Sequence, residues 1–250
     1  MNTKKCCSDC KEYKDLQNFY PHNSSKVGKR IYCNICYKRR HEKSYIRRIE
    51  RLKQLPNTLK KNEEEEIRTY FDNCCALTGG KNKVVLDHFI PIAWEGLPSK
   101  YGLGGTTSSN MLPLESKLNN KKNSNNPFHW FEKVKDKYML SEDNWQKAIE
   151  YLAGRNGLTV LQFKNRVNCC YQELIVKRLV ENLERKFGWE ERPEPMLNRF
   201  LRHGVNIQIA VKVYGSKELN NIIHSANIQG KIRVTKERLR NKVENMLTKV

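Results

Sequence analysis

The sequence has no long apolar run. Nothing in its 250 residues approaches the ~20 needed to span a bilayer, so a membrane protein is not expected. Hydrophobic residues are few, at 38%, and the mean hydropathy is −0.78. No apolar secretion segment follows Met1-Asn2-Thr3-Lys4-Lys5-Cys6. The expectation is a cytoplasmic protein of a bacterial or phage-infected cell, whose nine cysteines stay reduced and bind metal or pack. Acidic residues are also short, 27 against 47 Lys and Arg, for a net charge of +20. That shortage sits at the two ends. Residues 1–61 hold 17 Lys/Arg against 5 Asp/Glu, residues 196–250 hold 11 against 3, and residues 62–195 balance 19 against 19. Two basic arms around a neutral middle fit a polyanionic partner such as nucleic acid.

The cysteines fall into a pattern. Cys7-x-x-Cys10 and Cys33-x-x-Cys36 are two knuckles separated by 22 residues. Paired knuckles at this distance predict a tetrahedral four-cysteine site for Zn²⁺, and four thiolates close the shell, so the metal would be structural. Cys6 is the spare, and His22 and His41 are not expected as ligands. After Cys36 the residues Ile46, Ile49, Leu52 and Leu55 recur at helical spacing among Arg39, Arg40, Arg47, Arg48, Arg51 and Lys53. This predicts a basic helix, ended by Pro56-Asn57, with a phosphate-tracking role for those arginines.

The most informative stretch is Val84-Val85-Leu86-Asp87-His88-Phe89-Ile90-Pro91, followed by Asn110-Met111-Leu112-Pro113-Leu114 and Leu118-Asn119-Asn120-Lys121-Lys122. Phosphodiester hydrolysis needs an activated water and a way to hold charge on the departing oxygen. Mg²⁺ keeps several waters and asks for few protein oxygens. Asp87 offers a carboxylate, Asn119 an amide oxygen, and His88 an imidazole able to take a proton near pH 7. Neighbours on a strand point to opposite faces, so Asp87 and His88 can converge only where the strand ends. Pro91 supplies that break. A Gly/Ser/Thr loop, residues 102–109, then leads into the return strand.

These residues resemble the HNH nuclease motif over roughly residues 74 to 131. The resemblance implies a ββα-metal core in which His88 is the general base and Asp87 and Asn119 bind one Mg²⁺ or Mn²⁺. By the same resemblance Asn110 braces the hairpin loop and Lys122 lies near phosphate. Asn stands at the last motif position in place of His. Many members hold a second zinc around the hairpin. Only Cys74-Cys75 precede it here, so that zinc is not expected. The four-cysteine module is similar to the zinc-ribbon-like segment of phage-type HNH and endonuclease-VII-like proteins.

The remaining chain reads as helices. Glu63 to Phe71 carries acids on its first turn, as helix N-termini prefer. A helix begins at Pro127, with Phe128 and Phe131 toward the hairpin. Others cover Ser141 to Ala153 and Leu158 to Phe187. Glu190 to Pro195 reads as a linker, Ile209 to Leu219 has the order of a helix-turn-helix, and Thr235 to Lys249 reads as a basic terminal helix. The expected class is α+β with a mostly helical C-terminal half. The segments are a four-cysteine zinc module (1–42), a basic connector (43–66), the nuclease core (67–135), a helical extension (136–190) and a basic DNA-binding segment (196–250). The expected function is metal-dependent cleavage of double-stranded DNA, of phage, homing or restriction type. A duplex break needs two such sites, through a homodimer or successive nicks. The alternatives are a junction-selective endonuclease and a zinc-dependent DNA-binding regulator without catalysis.

Overall fold

Two three-residue strands open the chain in the computed structural model, which describes residues 4–186, 194–225, 228–233 and 235–237. Strand β1 (Lys4–Cys6) pairs antiparallel with β2 (Tyr13–Asp15). Their turn carries Cys7 and Cys10. Helix α1 (Asn34–Lys53) starts with Cys33 as its N-cap and Cys36 on its first turn. It runs unbroken across residues 42 and 43, so no joint separates a zinc module from a basic connector. Helix α2 (Lys61–Tyr70) follows. Three of its four successive glutamates have local work: Glu63 Oε2 accepts the Lys60 backbone N–H, Glu64 pairs with Arg68, and Glu66 with Arg155.

The β-branched run then forms β3 (Val84–His88), which pairs antiparallel with β4 (Met111–Glu115). The register sets Asp87 opposite Leu112 and His88 opposite Met111. Pro113 has no N–H to give, and its carbonyl on the outer edge accepts the Ala76 N–H. The long connection holds a 3₁₀ turn (Ile92–Trp94) and the short helix α3 (Leu97–Lys100). Helix α4 (Ser116–Lys122) continues directly from β4 and packs on both strands.

Helix α5 (Pro127–Tyr138) begins with Asn126 as N-cap, its side chain accepting from Phe128 and His129 N–H. Helix α6 (Glu142–Arg155) is capped by Ser141. Trp145 from α6 stacks on Phe131 at 4.1 Å, and both Phe128 and Phe89 close on it. Phe89 is the residue after His88, so this aromatic cluster fixes where β3 ends.

Asn156 and Gly157, with φ +65°, stop α6. The chain divides there into two units, 1–157 and 158–250. The division lies inside the stretch 136–190, not at its start. In the second unit α7 (Val160–Lys186) is one 27-residue helix. It packs with α8 (Glu194–Arg202) and α9 (Ile207–Tyr214), and α9 packs with α10 (Lys217–His224). Leu179, Val180, Leu183, Phe200, Val211 and Ile223 belong to its core. Gly215 and Ser216 alone join α9 to α10. A Cβ on Gly215 would sit 2.7 Å from the Val211 carbonyl oxygen, so the turn admits no side chain there. Tyr214 hydroxyl donates to Glu173 and Ser216 N–H donates to Glu184, both on α7. Burial and the Glu173 carboxylate push the Tyr214 hydroxyl up to about 12. The described residues are thus mixed α+β with two small antiparallel sheets. The linker at 190–195 and the terminal helix at 235–249 fall mostly outside the described residues.

Candidate functional site

The cluster of four cysteines is the first site. The ligand atoms of Cys7, Cys10, Cys33 and Cys36 all lie within 4.8 Å of one another. The first pair comes from the turn after β1 and the second from the start of α1. Among the described residues Phe19 is the buried aromatic packed against them, with Cys10 and Tyr32 partly covered. Burial pushes the Cys7 thiol up, but the backbone N–H groups of Cys33, Asp9 and Cys10 outweigh it and bring it down to about 6. Burial and the three neighbouring sulfurs push Cys36 up to about 12. Four sulfurs at this spacing resist ionising together unless a cation sits among them. The donor set therefore fits a soft dication such as zinc. Arg39 and Arg40 both reach Asp9, at 3.2 and 3.1 Å, beside the cluster. Arg40 also lies 4.2 Å over the Tyr32 ring. These two arginines brace the knuckle.

The second site is a pocket of about 450 Å³. Asp87, His88, Asn119, Arg48 and Arg51 line it. Asp87 and His88 are the last residues of β3, where pairing stops and the chain bends through Pro91. Asn119 comes from the middle of α4. The arginines come from the far end of α1, which packs on the 3₁₀ turn at Ile92–Trp94. Arg47, on the same helix, is exposed and does not line the pocket.

Asn110 is the keystone of the connection between the strands. It is 2% exposed. Its Oδ1 accepts the Ile90 N–H at 2.8 Å, and its Nδ2 donates to the carbonyls of Ile90 and Gly105. Gly105 has φ +80°, and a Cβ there would meet the Pro56 carbonyl oxygen at 2.4 Å. This close approach sets Thr106, whose Oγ1 lies 2.8 Å from His88 Nε2. Thr106 belongs to the Gly-Gly-Thr-Thr run, but composition alone gives it no partner. Burial lowers the pKa of His88, the Asp87 charge partly restores it, and Arg48 and Lys122 lower it again. The imidazole is therefore held neutral near pH 7.

Lys122 lines the same pocket, but its side chain is turned to the protein. It is 2% exposed. Its Nζ donates to the carbonyls of His88 and Phe89 and sits 3.0 Å from Asp87 Oδ2. The ammonium is consumed as a strut between α4 and the end of β3. Residues 119 and 122 share a helix face at i, i+3, which is the signal that could have placed Lys122 beside the hairpin end. Asp87 Oδ2 has the ion pair but no hydrogen bond of proper geometry. A buried carboxylate and an amide lining one polar pocket are a donor set that fits a hard dication. His129 is exposed and is not among the pocket-lining residues.

No helix among the described residues is long and apolar enough to cross a membrane. No family model, curated protein or solved structure matches the chain.

Proposed function

We propose that the chain is a metal-dependent DNA endonuclease of the HNH type. The observation that carries this reading is the gathering of Asp87, His88, Asn119, Arg48 and Arg51 around one pocket at the end of a β-hairpin. Asp87 and Asn119 would hold Mg²⁺ or Mn²⁺, which when bound stabilises charge on the departing 3′ oxygen. His88 takes a proton from the attacking water. To do so through Nδ1 it needs the tautomer with the proton on Nε2, donating to Thr106 Oγ1. Thr106 then orients the ring and Asn110 holds the loop that carries Thr106. Arg48 and Arg51 draw the phosphodiester in. The four-cysteine cluster holds Zn²⁺ and anchors the front of α1.

The test is nicking of supercoiled plasmid with Mg²⁺, Mn²⁺ or neither. His88→Ala is expected to cut at least about 100-fold more slowly while still binding DNA. Wild-type rates from that variant would remove the reading. The Asp87–Lys122 pair favours a rival, a zinc-stapled DNA binder with a neutralised carboxylate. The rival predicts salt-sensitive binding and no metal-dependent cutting from the wild type.

A further inference from the structure

Helix α1 is fixed at both ends and bare between them. At its front Cys33 and Cys36 join the cysteine cluster, and Arg39 and Arg40 grip Asp9. At its back Leu55 is buried, the Gly96 N–H donates to Gln54 Oε1, and Arg51 lies 3.6 Å from Glu95. Residues 38–48, eleven in a row, are all exposed, so about three turns show every face to solvent. Tyr45 is 65% exposed and Ile46 48%. A helix without a buried face draws no stability from packing and relies on side-chain pairs or on a partner. Among the described residues no ion pair joins two side chains within this span, and Lys38, Lys43 and Arg47 have no acidic partner.

The charges are ordered. Arg40, Arg47, Arg48 and Arg51 recur at i, i+7, i+8 and i+11, with the neutral Ser44 at i+4 between them, which places them along one side of the helix. That stripe begins at the cysteine cluster and ends in the pocket, which Arg48 and Arg51 line together with Asp87 and His88.

We propose that the bare middle of α1 lies in the major groove of B-form DNA and leads one strand into the pocket. This rests on the reading of the partner as DNA and adds the surface and the groove. A helix with its side chains is about 10–12 Å across, and the B-form major groove is about 12 Å wide. The major groove of duplex RNA is too narrow for it. From Lys38 to Arg48 the helix rises about 15 Å, so the groove it fills spans about four to five base pairs at about 3.4 Å each. Those base pairs adjoin the phosphate held at the pocket.

The experiment uses the full chain carrying His88→Ala in Mg²⁺-free buffer, so that binding is read without cutting. The probes are a DNA duplex of about 30 base pairs and the same sequence as duplex RNA, long enough to cover the site with flanks. Lys43→Glu with Arg47→Glu is compared with Lys81→Glu with Lys133→Glu, which changes net charge equally on other exposed surfaces. Zinc content and circular dichroism check folding. The α1 pair is expected to weaken DNA binding at least about tenfold beyond the control pair and to reduce the salt slope by about 2. Protein without those two changes is expected to protect guanine N7 from dimethyl sulfate over about four to five base pairs, because N7 faces the major groove. Equal losses from both pairs, no N7 protection, or equal affinity for duplex RNA would overturn the proposal. The nicking assay on protein with His88 intact separates the two claims. Absent nicking with α1-dependent binding sinks the nuclease alone. Nicking together with binding indifferent to Lys43 and Arg47 sinks the α1 proposal alone.

Discussion

At Lys122 the physical role is decided by burial. An ammonium with three oxygen neighbours and almost no exposure is held first by the protein, although it also lines the pocket. Lys122→Met leaves the Asp87 carboxylate buried without its counter-charge, and breaking such a pair costs roughly 3–5 kcal/mol. The expected outcome is a marked fall in melting temperature before any DNA is added. An unchanged melting temperature with weaker DNA binding would return Lys122 to the phosphate. Glu63 gives a second test. Its carboxylate accepts the Lys60 N–H and the Ser108 hydroxyl, strapping α2 to the loop before β4. The Lys60 backbone, then Ser108, hold its pKa below the usual range. A depressed folded value means the stabilisation is complete above the ordinary carboxylate pKa and is lost as pH falls through the folded one. Glu63→Gln should therefore melt below wild type near neutral pH, and the gap should close in acid. A gap that stays constant from neutral pH down to about pH 3 would show that ionisation is irrelevant there.

At the scale of elements the weakest part is the front. Residues 4–33 contain two three-residue strands and one buried aromatic, too little apolar surface to hold a fold alone. If the proposed zinc holds the four cysteines, a chelator should open this segment to proteases and leave the hairpin Val84–His88 and Met111–Glu115 protected. Cys36→Ser should do the same without chelator. Protection of residues 4–33 after complete metal loss would mean that packing suffices. The hairpin itself could be read from residues: Val84-Val85-Leu86 favours a strand, Pro91 ends it, and the glycines at 104 and 105 permit the return. The site around it was legible only in part. Asp87, His88 and Asn119 announce their chemistry by type. Thr106 and Lys122 act on His88 from 18 and 34 residues away, which no local pattern encodes. The unit boundary at Asn156-Gly157 lies between two predicted helices, and the helical pattern on both sides hid how much chain each unit claims.

For the molecule as a whole, the basic ends and neutral middle of the sequence acquire a direction in the first unit. Part of the N-terminal charge lies along α1, and Arg48 and Arg51 of that helix line the pocket. The C-terminal charge lies partly in 238–250, outside the described residues. Because α1 is a single uninterrupted rod, it works as a keyed shaft between knuckle and pocket. One alanine inserted after Ser44 would turn the knuckle by about 100° about the shaft, and seven would bring it back to within about 20° while moving it about 10 Å outward. Plasmid nicking and DNA binding should therefore suffer more from one added residue than from seven. A steady decline with insert length would mean that distance alone matters and that the two ends of the shaft need no common phase.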